Sequence, residues 1–328
     1  MPSVYAAALW KIRRQLCRKL ARMAKKKKKQ EDLPEGMSRR QAKLAARAAE
    51  RAKLEKDPRP FAGFACEAEL IALQEFVPSG YAKVDIAGID RTVWLCSVLP
   101  GASAAMIRDE QYGGDAFVAL QVQAHGVNPH HDLAYALNWV KEHSAGESLV
   151  STAADGNQPE LTELLPHDTT LDIQLEQDFS WWMPEGAPMP EQVAQSMQMA
   201  NDSVIETHAI DADAPGALWW SDTGSGKAHI RWVRPVDNEN DFLNALARVA
   251  ARGDLHVGED TKFAGVFRTH GVIAPVFDVT PEPAADSYRE QLERVNHALE
   301  EEISNDAQLS ADERKQLQNI KSRQVTIR

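Results

Sequence analysis

The sequence predicts an α+β protein: two similar sheet-plus-helix halves behind a basic N-terminal helical arm, with a helical C-terminal tail. Three observations predict it. Short alternating apolar runs, bounded by Gly and Pro, recur between residues 81 and 122 and between 170 and 277. Asp132–His143 and Asn240–Arg252 instead repeat apolar residues every three or four positions, the helical spacing. Charge is also segregated: residues 1–60 hold 19 Lys and Arg against six Asp and Glu, whereas residues 61–328 hold 18 against 42. The expected organisation is an arm over 1–60, a first half over 61–165, a second half over 166–280, and a tail over 281–328.

In the arm, the apolar run Val4–Trp10 precedes the positive charges, the reverse of a secretory signal. Residues 1–22 are Arg-rich and free of acids, which leaves a transit peptide open. Met23-Ala24 before Lys25–Lys29 reads more simply as the start of translation. Ser38, with Gln41 three residues on, fits a capping box. Arg39–Lys56 is rich in helix formers, with Arg40, Lys43, Arg47 and Arg51 on one face. Only Leu44 and Leu54 there are large and apolar, so this helix has no broad stripe to bury. Asp57-Pro58-Arg59-Pro60 stops it.

In the first half, Glu67–Gln74 is a mixed segment, and Tyr81–Ile86, Thr92–Leu99 and Ala116–Val122 read as strands. Leu133, Ala136, Leu137 and Val140 form the apolar face of the following helix. In the second half, Thr170–Leu175, Phe179–Trp182, Val204–Ala209, Ala217–Ser221 and Ala228–Arg234 read as strands. Phe263–Arg268 and Val272–Phe277 make a hairpin around Thr269-His270-Gly271. Pro190–Ala200 reads as a helix. Gly253 stands where the C-cap of the helix Asn240–Arg252 belongs. Asp132-Leu133-Ala134-Tyr135-Ala136-Leu137 beside Asp241-Phe242-Leu243-Asn244-Ala245-Leu246 raises an internal duplication. In the tail, Tyr288, Leu292, Val295, Leu299 and Ile303 form one stripe, and Ser310 with Glu313 a second capping box.

Asp222–Lys227 has the glycines of a phosphate loop, but Ala228 follows the lysine and then a strand, so a hairpin explains it better. His125, His130, His131 and Asp132 cluster, yet their spacing matches no familiar metal set and Asp132 sits where a helix-start acid belongs. No catalytic residue, cofactor or resident metal is assigned. Cys17, Cys66 and Cys96 are too far apart for a zinc knuckle, and their odd number speaks for a reducing, cytoplasmic setting. Cys96 reads as a buried small hydrophobe. No apolar run approaches the length of a membrane span.

Lys25, Lys26, Lys27, Lys28, Lys29, Arg39, Arg40, Lys43, Arg47 and Arg51 are the expected phosphate-binding residues, with RNA, a ribosome or DNA as partner. Trp181-Trp182 and Trp219-Trp220, read on strands, each turn one indole outward. Those outward rings are either covered by a second layer or left as a surface for a protein partner. The leading reading is a non-enzymatic protein. The alternatives are an export- or membrane-related adaptor, and an enzyme holding a metal at His125, His130 and Asp132.

The string Pro34-Glu35-Gly36-Met37-Ser38-Arg39-Arg40-Gln41-Ala42-Lys43-Leu44, continuing to Arg51 and closed by Asp57-Pro58-Arg59-Pro60-Phe61, resembles an actinobacterial family, domain of unknown function 5926. Leu73-Gln74-Glu75-Phe76-Val77-Pro78, Ala119-Leu120-Gln121-Val122, Ile230-Arg231-Trp232-Val233 and Phe267-Arg268-Thr269-His270-Gly271 are similar too. The resemblance runs from Met23 to Val279 and implies no catalytic residue. Some members carry the label translocase ATPase or topoisomerase, activities that need a nucleotide loop this sequence lacks.

Overall fold

The computed structural model describes Arg40, Gln41, Leu44 and residues 55–154, 156–224 and 226–326. The chain divides into a unit of residues 1–53 and a unit of residues 54–328. In the first, Arg40, Gln41 and Leu44 are helical and exposed. Met23, Lys25–Lys29, Arg39, Lys43, Arg47 and Arg51 lie outside the described residues.

In the second unit the chain is pinned from Asp57 onward. Asn128, at the start of a helix, accepts from the Asp57 amide at 2.7 Å and donates to the Glu55 carbonyl. Arg59 forks onto both oxygens of the buried Glu67 carboxylate at 2.7 Å and donates to the Val236 carbonyl. Phe61 is fully buried. The segment expected to end the arm is therefore part of the body.

Glu67–Glu75 is a helix, α1, although its sequence has no clear period. Its periodicity is hidden because it is buried on most sides: Ala68, Leu70, Ile71, Ala72 and Leu73 all lack solvent. The first sheet has the order β5-β3-β4-β2-β1-β6, from β1 (Gly80–Val84), β2 (Val93–Cys96), β3 (Ala105–Ile107), β4 (Ala116–Ala119), β5 (Ser148–Leu149) and β6 (Gln174–Leu175). β2 and β4 are parallel; the other pairs are antiparallel. The alternation along each strand decides its two faces. Ala82, Val84, Val93, Leu95, Ala116 and Val118 join α1 and the helix α2 (Pro129–Glu142) in one core. Tyr81, Trp94, Cys96, Phe117 and Ala119 point the other way.

The second sheet has the order β12-β10-β11-β9-β8-β7, from β7 (Thr207–Ala209), β8 (Ala217–Asp222), β9 (Ala228–Val233), β10 (Lys262–Thr269), β11 (Val272–Val279) and β12 (Val325–Thr326). One face, with Ala217, Trp219, Val233 and Val272, closes the core that α1 shares with the first sheet. The other face, with Leu218, Trp220, Ile230, Trp232 and Phe277, packs under the helices α5 (Glu239–Ala251), α6 (Arg289–Ile303) and α7 (Ala311–Ser322). Two further helices are α3 (Leu161–Leu164), before β6, and α4 (Glu191–Asn201), between the last strand of the first sheet and the first of the second. The tail stripe of Leu292, Val295 and Leu299 is consumed in this core, and the Ser310–Glu313 capping box opens α7.

The inner runs β5-β3-β4-β2-β1 and β12-β10-β11-β9-β8 follow one order, but β1 is flanked by the last strand of its sheet, β6, and β8 by the first of its own, β7. They differ in the second hairpin: β4 runs parallel to β2, whereas β11 runs antiparallel to β9. The helix α5 also precedes its hairpin, while α2 follows its own.

Two strand expectations are corrected. Of Thr170–Leu175 only Gln174–Leu175 pairs. Phe179–Trp182 is no strand: Ser180–Trp182 is a turn of 3-10 helix. The Phe179 amide is taken by the Asn201 side chain at 2.9 Å and the Ser180 amide by its neighbour Asp178, so neither is free for a ladder.

Candidate functional site

The outer face of the first sheet carries Tyr81, Trp94 and Phe117 on three adjacent strands, with Trp94 and Phe117 in direct register. Among the described residues, the cover of this face includes the strap Phe179–Trp182. A buried indole N–H needs an acceptor, and both strap indoles find one. Trp181 donates to Ser79 Oγ at 2.9 Å, and Ser79 in turn donates to the Asp178 carbonyl. Trp182 donates to the Val98 carbonyl at 3.0 Å and stacks on Phe179 with centroids 4.3 Å apart. These bonds tie the strap across the sheet.

Beside the strap the cover is incomplete and leaves a recess of about 250 Å³. Four rings close a circuit around it. Tyr81 meets Trp94 edge-on at 5.3 Å and Trp181 at 5.0 Å; Phe117 lies 6.4 Å from Trp94 and 5.9 Å from Trp181. The polar tips of the Tyr81, Trp94 and Trp181 rings are each bonded to a protein acceptor. The Tyr81 hydroxyl donates to Glu176 at 2.9 Å, and Trp94 Nε1 donates to Asp115 at 3.2 Å. Burial, with the bond to Glu176, pushes the Tyr81 hydroxyl above its ordinary range. The Arg108 guanidinium lies 4.4 Å over the Phe117 ring and donates to the Trp181 carbonyl. Burial lowers its pKa, against the nearby Asp115. Met183, Pro184 and Glu185 complete the wall. Chemically, the recess offers aromatic faces and hydrocarbon, with the Arg108 guanidinium, the Gln174 amide and the Asp115 and Glu185 carboxylates around them.

A larger cavity, about 510 Å³, lies where the β10–β11 hairpin meets α1 and the loop before α2. Its charges answer one another: His270 Nε2 is 2.7 Å from Glu75, and Arg268 is paired with Glu239. It is a polar seam between the sheets, with Lys56 and Asp57 also on its lining.

The expected site residues divide. Trp181 and Trp182 are half-buried, and Trp181 lines the recess. Trp219 and Trp220 are corrected: they do alternate across β8, but both faces of that strand are covered. They are only 3% and 4% exposed, so neither is a partner surface. The metal alternative at His125, His130 and Asp132 is also corrected. The Asp132 carboxylate accepts from the Gly126 amide and from Thr152, shaping the loop before α2. His125 is exposed and contacts the neighbouring Gly126 carbonyl. Burial first, and His131 second, lower the pKa of His130. Among the described residues no three His, Cys, Asp or Glu side chains converge to hold a metal. Asp222–Lys227 is the loop of the β8–β9 hairpin, with Asp222 paired to Ala228. Tyr81, Trp94, Phe117 and Arg108 went unnoticed in the sequence. For the three rings the signal was there, as large aromatics at alternate strand positions; what was missing was which strands are neighbours.

No helix among the described residues is long and apolar enough to cross a membrane. No curated protein and no solved structure matches the chain. A family of unknown function, DUF5926, matches residues 60–328, so it spans both sheets, the recess and the tail helices, and the chain belongs to that family.

Proposed function

We propose that the chain is a non-enzymatic binding protein with two working parts. The basic arm, Lys25–Lys29 with Arg39, Arg40, Lys43, Arg47 and Arg51, holds the phosphates of RNA, a ribosome or DNA without reading sequence. The acidic body meets a protein partner through the face around Trp181 and Trp182. The observation that carries this reading is the segregation of charge, a net +13 over residues 1–60 against −24 over the rest. A body of that sign is repelled by a polyanion, which leaves contact to the arm. Arg59 stands outside the gripping set, because its guanidinium is committed to Glu67 and Val236.

The test keeps the chain whole. The ten arm cations are changed to Gln, and binding to ribosomes and to single-stranded RNA is followed as salt is raised. With roughly six to ten phosphates engaged, wild-type affinity falls about 10³–10⁵-fold between about 50 and 200 mM salt, and the variant has lost binding at the lower value. Unchanged binding by the variant overturns the arm's role. Flotation of the wild type with anionic vesicles, in place of RNA binding, moves the reading to a membrane-surface adaptor.

A further inference from the structure

We infer that the recess bounded by Tyr81, Trp94, Phe117 and Trp181 receives a cationic side chain, the guanidinium or ammonium of an Arg or Lys presented by a basic segment of a partner protein. This gives the partner face a ligand chemistry; it rests on the reading of that face and is independent of what the arm binds.

Three observations carry it. The first is what the recess lacks. The hydroxyl of Tyr81 and the indole N–H groups of Trp94 and Trp181 are all bonded to protein acceptors. A ligand that must be read by hydrogen bonds finds few free donors on these rings, which line the recess. An aromatic face carries negative charge density and attracts a cation within about 6 Å of its centroid.

The second is the sign of the surroundings. Asp115, Glu176 and Glu185 are carboxylates at or beside the recess. The opposing charge there is Arg108, whose guanidinium lies over Phe117, donates one bond to the Trp181 carbonyl and sits near Asp115, with its buried Nε unpartnered; the carboxylates outnumber it. The body beyond adds a net −24, which draws in a cation and repels an anion.

The third is precedent within the molecule. Arg108 over Phe117 at 4.4 Å shows that a guanidinium fits this ring system. The remaining space of about 250 Å³ suits one side-chain head rather than a large cofactor.

The experiment titrates three small probes into the full-length chain: the N-acetyl methylamides of arginine, lysine and norleucine, the last being uncharged and of similar length. The indole N–H resonances report where each one binds. The expected result is a saturable shift of Trp94 and Trp181 with the arginine and lysine probes, and binding at least about tenfold weaker for norleucine. Glu185→Gln, at an exposed rim position, weakens the cationic probes severalfold without threatening the fold. Trp94→Leu abolishes their binding, with the unchanged Trp219 and Trp220 resonances certifying the core. Equal binding of norleucine overturns the cation chemistry and leaves the face as an apolar docking surface. No shift with any probe overturns both the cation chemistry and the reading of this face.

Discussion

Gly271 lies so close to Pro58 that a Cβ on it would come within 2.3 Å of the Pro58 carbonyl oxygen. The two residues are far apart in sequence, and their contact locks the tip of the β10–β11 hairpin onto the segment that enters the body. Thr269 pairs with Val272, so His270 and Gly271 are the two central residues of the turn, with φ of 47° and 74°. That is the left-handed pair a tight hairpin of this twist requires. His270 then reaches Glu75 of α1 at 2.7 Å, a second tie across the same seam.

Gly271→Ala meets two penalties at once: a left-handed backbone that disfavours a side chain by about 1–2 kcal/mol, and a backbone oxygen with nowhere to go. The expected loss is about 2–4 kcal/mol, read as a lower urea midpoint for the full chain. A variant within about 0.5 kcal/mol of wild type would show that the seam relaxes freely. His270→Gly separates the effects, since it keeps the turn and removes the ring's contacts with Glu75 and Phe61 without adding a Cβ at residue 271.

The thiols give a sharper chemical test. Cys66 is 1% exposed and burial pushes its thiol up to about 12; Cys96 is fully buried and is pushed higher still. Only the thiolate attacks an alkylating reagent. At pH 8 about one Cys66 in ten thousand is a thiolate by that shift. Iodoacetamide at pH 8, followed by peptide mass spectrometry, is expected to leave both residues unlabelled in the native chain and to label both in urea. Prompt native labelling of either would contradict the packing around β2 and the start of α1.

Much of the architecture was legible because it rests on short-range pattern. The helices α2, α5, α6 and α7 and the hairpins around Asp222–Lys227 and His270-Gly271 follow from spacing, caps and turn residues. The departures have one physical cause, the sharing of layers between distant parts of the chain. α1 carries no stripe because it is sandwiched between two sheets. Phe179–Trp182 has strand-like residues, yet its amides are captured by Asp178 and Asn201. Trp219 and Trp220 obey strand alternation, and the layer above each face depends on contacts with α1 and α5 that spacing does not encode. The recess fails to show for the same reason: Tyr81, Trp94 and Phe117 become one site only when β1, β2 and β4 are set side by side.

His130 supplies a pH dependence with a definite sign. Its pKa is lowered, chiefly by burial and then by His131, so the folded chain favours the neutral ring. An imidazole of lowered folded pKa contributes stability above its unfolded value, about 6.5. That contribution is lost as pH falls through this value toward the folded one. Thermal unfolding of the wild type is therefore expected to lose more stability between pH 7.5 and 5.5 than that of His130→Asn. Parallel profiles for the two proteins would remove His130 from the account.

Arg234 makes the strongest case for a single side chain organising the tail. It is 1% exposed, with its guanidinium 4.6 Å from the Trp232 ring and 5.1 Å from Phe242. One nitrogen donates to Asn296 at 2.6 Å and another to Glu300, both on α6. The two acceptors are not equivalent. Glu300 is 52% exposed, so its half of the pair is screened and Glu300→Gln is expected to cost under about 1 kcal/mol. Arg234→Ala removes a buried side chain, its ring contacts and both bonds together, and about 3–5 kcal/mol is expected. Arg234→Lys restores the charge without the planar fork and falls between them. Chemical unfolding of the three variants tests that order. A loss at Glu300→Gln as large as at Arg234→Ala would mean that the ion pair, rather than the fork between two rings, fastens α6 to the sheet.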